Sequence, residues 1–231
     1  MNGKVTAIVL SAGTGKRMNS AIPKQYLNLS GKPVIVWSIE AFQKCALIDY
    51  IILVTGENDI PFCKSEIVGR YGLDKVTGVV AGGRERSDSV LRGLLACPAD
   101  TDYVLIHDGA RPLVDEDVIR RTVEGAKEYR AAVAGIAAKD TIKIVNEEGY
   151  VETTPDRSRL RTIQTPQAFE YKLIRKAYEK VASDGIFVTD DAMAVEYAGN
   201  VRVKIVEGAV RNIKITTRED LEKAAALLKT D

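Results

Sequence analysis

Two short segments near the amino terminus combine glycines with positively charged side chains. Residues 11–18 read S-A-G-T-G-K-R-M, and residues 23–26 read P-K-Q-Y. Small residues let a backbone approach a nucleotide closely, so that its N–H groups can bind phosphate oxygens. The first segment matches neither G-x-x-x-x-G-K-[ST] nor G-x-G-x-x-G. Alone it is more typical of a turn with solvated charges, but the second basic segment favours phosphate binding.

A second glycine-rich segment, G-G-R-E-R-S-D-S-V, occupies residues 82–90. It follows a predicted strand and precedes a predicted helix. The N–H groups and hydroxyls at a helix N-terminus suit the polar edge of a ligand. A glycine turn with a serine helix cap explains the same residues equally well.

The segment H-D-G-A-R-P at residues 107–112 ends another predicted strand. A carboxylate in that position, near a triphosphate, is a natural partner for Mg²⁺, although an aspartate in a turn is also common. His107 is the one histidine of the chain, so no site with two histidine ligands can form within it. Any chemistry must therefore depend on Lys, Arg, Asp and backbone amides.

Three later segments carry polar groups without a clear role of their own. They are Q-T-P-Q at 164–167, T-D-D-A at 189–192 and N-I-K-I-T at 212–216. The first two would each pass for a cap or a turn. The third is strand-like and carries one lysine, which could equally be an exposed lysine of an edge strand.

Alternating strands and helices are expected to position these segments. Apolar, β-branched runs predict strands at 5–10, 50–54, 76–80, 103–107, 131–137 and 201–206. Helical spacing predicts helices at 33–44, 60–71 (with Phe62, Ile67 and Val68 inward), 87–95, 115–129, 171–181 and 190–198. The residues T-R-E-D at 217–220 resemble a capping box, which predicts a last helix with its cap at Thr217. This order implies a Rossmann-like α/β fold, a mostly parallel sheet with helices on both faces. Ligands of such sheets bind beyond the carboxyl ends of the strands, where most of the motifs lie.

One segment departs from this order. Residues 141–145 and 150–153 are extended and flank N-E-E-G, which predicts a β-hairpin. Such a hairpin has no place in a parallel sheet, so residues 139–160 are expected to project over the site or onto a partner subunit. We expect one domain over residues 1–231, with this β arm used in dimerisation.

Composition excludes several classes of protein. The 231 residues carry 33 Lys and Arg and 32 Asp and Glu, a net charge of +1, which argues against bulk binding to nucleic acid or an anionic membrane. Cys45, Cys63 and Cys97 form no C-x-x-C pair, so a reducing cytoplasm is the expected location. We expect neither a signal peptide nor a membrane span.

Taken together and in order, the motifs resemble those of the 2-C-methyl-D-erythritol 4-phosphate cytidylyltransferases of the non-mevalonate isoprenoid pathway. The resemblance runs from Ala7 to about Leu228. Its blocks are A-G-T-G-K-R-M, P-K-Q-Y, G-G-x-x-R-x-D-S-V, H-D-G-A-R-P, K-D-T-I-K, D-R-S-R-L, Q-T-P-Q-A-F, T-D-D-A and N-I-K-I-T. Ser11 departs from the more usual alanine, but the residue stays small.

The resemblance implies a fold of the nucleotidyltransferase type, a homodimer and a role for each matching residue. The nucleotide would be held by Ser11, Ala12, Gly13, Gly15, Gly82, Gly83, Ser89 and Asp108, with Asp108 near Mg²⁺. The catalytic cations would be Arg17, Lys24, Lys214 and Arg157. The methylerythritol phosphate would contact Asp108, Arg111, Thr141, Arg157, Thr165, Thr189 and Lys214, in part from the arm of the partner subunit.

The implied reaction suits these residue types. A phosphate oxygen of the second substrate attacks the α-phosphorus of CTP in line, and pyrophosphate leaves. The attacking group is already a dianion, so catalysis needs positioning and charge stabilisation rather than a general base. The alternatives are a ribitol-5-phosphate cytidylyltransferase, a catalytically silent nucleotide-binding module and a nicotinamide-dependent oxidoreductase.

Overall fold

A computed structural model describes residues 3–13, 23–199 and 201–229. Its strands are β1 (Lys4–Leu10), β2 (Asn28–Leu29), β3 (Lys32–Pro33), β4 (Tyr50–Thr55), β5 (Val76–Ala81), β6 (Thr101–Asp108), β7 (Ala131–Ala137), β8 (Ile144–Val145), β9 (Val151–Thr153), β10 (Arg161–Glu170) and β11 (Lys204–Glu207). Its helices are α1 (Val34–Lys44), α2 (Ile60–Phe62), α3 (Arg86–Leu95), α4 (Glu116–Tyr129), α5 (Tyr171–Asp184), α6 (Asp191–Ala198) and α7 (Arg218–Leu228). Helix α2 continues as a π-helix over Cys63–Gly69.

Seven strands form one sheet in the order β11-β7-β10-β6-β1-β4-β5. All pairs in it are parallel except those of β10, which runs antiparallel to both β6 and β7. The predicted mostly parallel α/β sheet is therefore confirmed. Strand β10 was not predicted, and it lies inside the sheet, between β7 and β6.

The side chains of the sheet alternate between two hydrophobic cores. In β1, Ala7 and Val9 join the core that α1 and α4 cover, whereas Ile8 joins the core that α3, α5 and α6 cover. Successive side chains of a strand point to opposite faces, so a strand covered by helices on both sides must be apolar throughout. This explains why β1 is a continuous apolar run with its carboxyl end directed at the site.

Two local expectations were wrong. Phe62 was expected to face inward, but its side chain is 42% exposed and packs edge-on against Tyr26. The winding changes from α to π at Cys63, so a spacing of 3.6 residues does not hold across this segment. Residues 212–216, expected to be strand-like, lie outside the strands. Their backbone groups are bonded individually instead, for example from Ile215 N to the Ala110 carbonyl (2.8 Å).

The predicted hairpin is present as β8 and β9, a two-stranded sheet of its own. The side-chain oxygen of Asn146 accepts N–H groups from Glu148 (3.1 Å) and Tyr150 (2.9 Å) and so closes the turn. Ile144, Val145, Tyr150 and Val151 are between 47% and 69% exposed. The hairpin thus projects with apolar side chains uncovered by the described residues. Among the described residues, every helix is too short or too polar to span a lipid bilayer.

Candidate nucleotide site

A cavity of about 220 Å³ lies beyond the carboxyl ends of β1, β5 and β6. This is the sheet edge at which the sequence motifs were expected to gather. Its walls are formed by Leu10, Ser11, Ala12, Gly13, Lys24, Gln25, Gly83, Arg84, Glu85, Arg86, Ser89, Asp108, Ala110 and Lys214. Five separate motifs of the sequence therefore meet around one space.

The wall formed by Gly82 and Gly83 is packed too tightly for larger residues. A Cβ atom on Gly82 would clash with Ala12 Cβ and lie 2.8 Å from Ser89 Oγ, and one on Gly83 would clash with Asp88. Gly83 N donates to Ser89 Oγ (3.0 Å), and Ser89 Oγ donates to the Glu85 carbonyl (3.1 Å). The glycine turn, the start of α3 and the segment after β1 therefore form one rigid wall.

Ser11 is held by its own contacts with the neighbouring strand β4. Its N–H and its hydroxyl both donate to the Val54 carbonyl, at 2.7 and 3.0 Å. The hydroxyl is therefore engaged within the sheet, and only the small size of the residue matters to the cavity. This explains how serine can stand where the family pattern more usually has alanine.

The P-K-Q-Y segment is fastened to the same edge. Gln25, which is buried, donates its side-chain amide to the Ser11 carbonyl (2.7 Å), and the Tyr26 hydroxyl lies 2.7 Å from Thr55 Oγ1. Lys24 Nζ donates to the Ile215 carbonyl (3.1 Å). These contacts hold the Lys24 ammonium group at the cavity wall.

Asp108, at the end of β6, carries its carboxylate between two cations. Lys214 Nζ lies 2.6 Å from Oδ2, and Arg86 Nε lies 3.4 Å from Oδ1. Burial by itself would raise the pKa of Asp108, but the positive charges of Arg86, Lys214 and Arg111 hold the pKa well below its usual value. The carboxylate is therefore charged at neutral pH.

Arg86 is bound from behind by a fully buried carboxylate. Its Nη1 and Nη2 donate to Asp191 Oδ1 (2.7 Å) and Oδ2 (2.8 Å), and the Tyr178 hydroxyl also donates to Oδ1 (2.5 Å). Burial opposes the charge of Arg86, yet the attraction of Asp191 and Asp108 outweighs it and raises the pKa of Arg86. Both residues stand within motifs of the sequence, but neither was predicted to have a role.

Thr165 and His107 form a layer beneath Asp108. Asp108 N donates to Thr165 Oγ1 (3.0 Å), which is 3.1 Å from His107 Nδ1, while His107 Nε2 is 3.1 Å from the Arg111 carbonyl. The carbonyl can only accept, so Nε2 carries the proton and Nδ1 accepts from Thr165. Burial lowers the pKa of His107 to about 4, so the ring is neutral and positions the Asp108 backbone.

Arg111 belongs to the same layer and is held by Asn212. Its Nη1 donates to the Asn212 carbonyl (2.7 Å), and Asn212 Nδ2 donates to the Thr165 carbonyl (2.8 Å). Burial lowers the pKa of Arg111. Within the described residues, Arg111 Nε and Asn212 Oδ1 are buried without a hydrogen-bond partner.

Several of the predicted site residues do not line the cavity. Arg157 Nη1 donates to the Lys139 carbonyl (2.9 Å), and Arg157 borders a separate depression with Asp156 and Arg161. Thr141 is exposed at the base of the hairpin, and the exposed Thr189 directs its hydroxyl to the Met193 sulfur (3.6 Å). Gly15 and Arg17 lie outside the described residues.

A multidentate metal site is absent from the described part of the chain, which holds no cluster of three or more His, Cys, Asp or Glu side chains able to bind an ion. Mg²⁺ in nucleotide enzymes typically needs only one or two carboxylates, because substrate phosphates and water complete its shell. The charged carboxylate of Asp108 in the cavity wall meets that requirement. The donor set therefore fits a magnesium–nucleotide complex and not an all-protein metal centre.

Comparison with known proteins agrees with this geometry. The model of the family "2-C-methyl-D-erythritol 4-phosphate cytidylyltransferase" (IspD) matches residues 5–230. The enzyme of that name from Lachnoclostridium phytofermentans is 50% identical over 227 residues, covering 98% of this chain and 97% of the relative. The one from Clostridium acetobutylicum is 46% identical over 223 residues, covering 96% of each.

Solved structures give the same result. The 4-diphosphocytidyl-2C-methyl-D-erythritol synthase of Anaerococcus prevotii superposes with a TM-score of 0.88 at 34% identity, covering 99% of this chain and 100% of that one. The Thermus thermophilus 2-C-methyl-D-erythritol 4-phosphate cytidylyltransferase does so with a TM-score of 0.79 at 30% identity, covering 98% and 99%. The chain therefore belongs to the 2-C-methyl-D-erythritol 4-phosphate cytidylyltransferase family of nucleotidyltransferases.

Proposed function

We propose that this chain transfers the cytidylyl group of CTP to 2-C-methyl-D-erythritol 4-phosphate and releases pyrophosphate, a step of non-mevalonate isoprenoid biosynthesis. The observation that carries the proposal is the cavity itself. In a chain of this family it gathers two glycine-containing segments, two lysines and a charged aspartate at one sheet edge. The ribitol-phosphate alternative is not favoured, because all the relatives described above carry the methylerythritol name.

The base of the nucleotide is assigned to the glycine wall. The backbone of Ala12, Gly13 and Gly83 and the hydroxyl of Ser89 would contact cytosine. This assignment is supported by the close packing at Gly82, where even one added Cβ atom would clash. A wall that cannot recede favours the smaller pyrimidine ring, so purine nucleotides are expected to be poor substrates.

The chemical step then needs charge and alignment. An oxygen of the methylerythritol phosphate forms a bond to the α-phosphorus of CTP, and the bond from that phosphorus to the β-phosphate oxygen breaks. Lys24 and Lys214 would stabilise the negative charge that develops, together with Arg17 and the Gly15 backbone. His107 is buried and neutral, which agrees with a reaction that uses no general base.

Magnesium is proposed as the cofactor, with Asp108 as the protein group that holds it, directly or through water. When bound, the ion would neutralise part of the triphosphate charge and orient the phosphates. The protein contribution is to keep Asp108 charged and fixed, and its contacts with Lys214 and Arg86 serve that purpose.

The second substrate is assigned to Arg111, Thr165 and Thr189, with Thr141 and Arg157 supplied by the arm of a partner subunit in a homodimer. This part rests on two observations. Arg157 does not line the cavity of its own chain, and the hairpin exposes apolar side chains that a second chain could cover. A cytoplasmic location agrees with three free cysteines, two of them buried.

The test is pyrophosphate release from each of the four nucleoside triphosphates, with methylerythritol phosphate or ribitol 5-phosphate as acceptor and with Mg²⁺ present or removed by a chelator. We expect release with CTP, methylerythritol phosphate and Mg²⁺ together. The matched variant is Asp108→Asn, which keeps the size of the side chain but loses its charge. We expect this variant to lose activity. Equal turnover of ribitol 5-phosphate would refute methylerythritol phosphate as the acceptor. Full activity of Asp108→Asn would refute the role of Asp108 in the site.

A further inference from the structure

The fully buried carboxylate of Asp191 lies behind the cavity wall and has no part in the function described above. It is the first residue of α6, where the Gln167 side chain accepts the N–H groups of Asp191 (3.1 Å) and Ala192 (3.0 Å). A helix N-terminus favours negative charge, so the carboxylate is stabilised from its own helix. Its side chain is 0% exposed and cannot contact a substrate.

Asp191 fixes both ends of the Arg86 guanidinium. Its two oxygens accept from the two terminal nitrogens of Arg86 at 2.7 and 2.8 Å. Such a paired contact sets the plane of the guanidinium as well as its position. Because both terminal nitrogens are directed backward, Arg86 reaches Asp108 only through Nε, at 3.4 Å.

Tyr178 holds Asp191 in turn. Its ring is 1% exposed and belongs to the core beneath α5, and its hydroxyl donates to Asp191 Oδ1 (2.5 Å). Burial, and next the charge of Asp191, raise the pKa of Tyr178 well above the ordinary value. The hydroxyl therefore remains a donor, and a rigid aromatic anchor ends the series of contacts.

These contacts form one line from the core to the cavity, Tyr178–Asp191–Arg86–Asp108–Lys214. It joins two cations to two carboxylates, so each arginine or lysine charge is matched. If Asp191 lost its charge, Arg86 would be drawn to Asp108, its other carboxylate partner. It would then compete with Lys214, which binds the second oxygen of Asp108 at 2.6 Å.

We propose that Asp191 and Tyr178 are positioning residues of the nucleotide site, which hold Arg86 back from Asp108 and so keep Asp108 and Lys214 in their working arrangement. The proposal rests on the proposed function, in which Asp108 and Lys214 bind the magnesium–nucleotide complex. It adds two residues that touch neither substrate and act only through Arg86.

A purely structural role explains the arrangement less well. Helices α5 and α6 already pack through apolar side chains such as Val181, Ala194 and Val195, all within 3% exposure. A buried ion pair contributes little net stability compared with apolar residues of similar size. What the pair does provide is a fixed location for a charge, and that location is the wall of the cavity.

The experiment is a double-mutant cycle on the full chain, read as kcat/KM for CTP together with the melting temperature. Asp191→Asn is expected to lower kcat/KM by about 10- to 100-fold, the range for partners one contact removed from a site. Arg86→Met should also lower it, because Asp108 then loses one of its two cationic partners. The double variant should be no worse than Arg86→Met alone, because contacting residues that act as a unit are not additive.

Tyr178→Phe is the milder variant, since it removes one hydroxyl and keeps the packing. We expect a loss of roughly 3- to 10-fold, corresponding to one hydrogen bond, and again no further loss on top of Arg86→Met. The matched control is Tyr197→Phe. It removes another Tyr–Asp hydrogen bond between the same two helices, to Asp184 (2.7 Å), but at an exposed position. It should leave kcat/KM unchanged.

The proposal would be overturned if the losses of the single variants multiplied in the double variants. It would also be overturned if Asp191→Asn or Tyr178→Phe lowered the melting temperature but left kcat/KM unchanged. If Asp191→Asn does not fold, the cycle of Tyr178→Phe with Arg86→Met decides by the same criterion. Asp108→Asn distinguishes a failure of the proposed function from a failure of the positioning role. Full activity of that variant would refute the proposed site, whereas its inactivity beside an active Asp191→Asn would refute only the positioning role.

Discussion

At the scale of single residues, the cavity depends on two lysines that come from distant parts of the chain. Lys214 contacts Asp108, and Lys24 donates to the carbonyl of Ile215, the residue next to Lys214. One short segment therefore supplies one cation and holds the other. The spacing of the two ammonium groups is set by this segment rather than by either lysine alone.

Lys24→Ala should therefore lower kcat at least about 10²-fold, the scale for loss of one group that stabilises transition-state charge. The matched control is Lys44→Ala, which removes an exposed lysine paired with Glu40 on α1. Steady-state rates of pyrophosphate release measure both variants. An unchanged kcat in Lys24→Ala would exclude this lysine from the α-phosphate step.

At the scale of elements, the hairpin of β8 and β9 could be predicted from the sequence, whereas strand β10 could not. The hairpin was predicted from two extended segments around a Gly-containing turn, which are local features. Strand β10 was missed because its centre is polar and contains Pro166, and proline argues against a central strand. The strand tolerates it through a register shift between Ile163 and Gln167. Its polar groups are satisfied by remote partners such as Asp190 and Ala209.

The hairpin also carries a prediction about assembly. If the arm completes the site of a partner subunit, mixing Lys24→Ala with Arg157→Ala after reversible dissociation should restore activity. Random re-pairing makes about half the dimers mixed, and each mixed dimer has one intact site, so about a quarter of the sites should work.

The control mixture is Lys24→Ala with Lys214→Ala. Both residues line the cavity of one chain, so every site keeps at least one defect and activity should stay absent. If the first mixture also stays inactive, although subunit exchange is demonstrated independently, Arg157 does not serve a neighbouring site.

At the scale of the whole molecule, the buried layer beneath the cavity links the stability of the fold to pH. His107 is fully buried and packs edge-on against Phe42, with ring centroids 5.0 Å apart. Its folded pKa of about 4 lies below the ordinary value of 6.5. Between these two pH values, His107 binds a proton in the unfolded chain but not in the folded chain. The free energy of unfolding therefore falls as the pH falls through this window.

His107→Gln tests this, because glutamine offers a donor but does not titrate in this range. Between pH 8 and pH 5, His107 should account for a loss of about 2 kcal/mol in the free energy of unfolding. Denaturant unfolding at the two pH values should show a decrease smaller by that amount in the variant. An equal decrease in both proteins would show that His107 is not the group responsible.

Patterns in the amino-acid sequence were sufficient to predict the alternation of strands and helices, the glycine segments at strand ends, the hairpin and the cap at Thr217, whose side chain accepts from Asp220 N (3.2 Å). Each of these depends on residues within one or two turns of chain, so local patterns suffice. The contact of Arg86 with Asp191, 105 residues away, and that of Lys214 with Asp108 could be seen only in the folded chain. Such pairings follow from the order of strands in the sheet. That order depends on how all the elements bury their apolar faces together, which no single segment specifies.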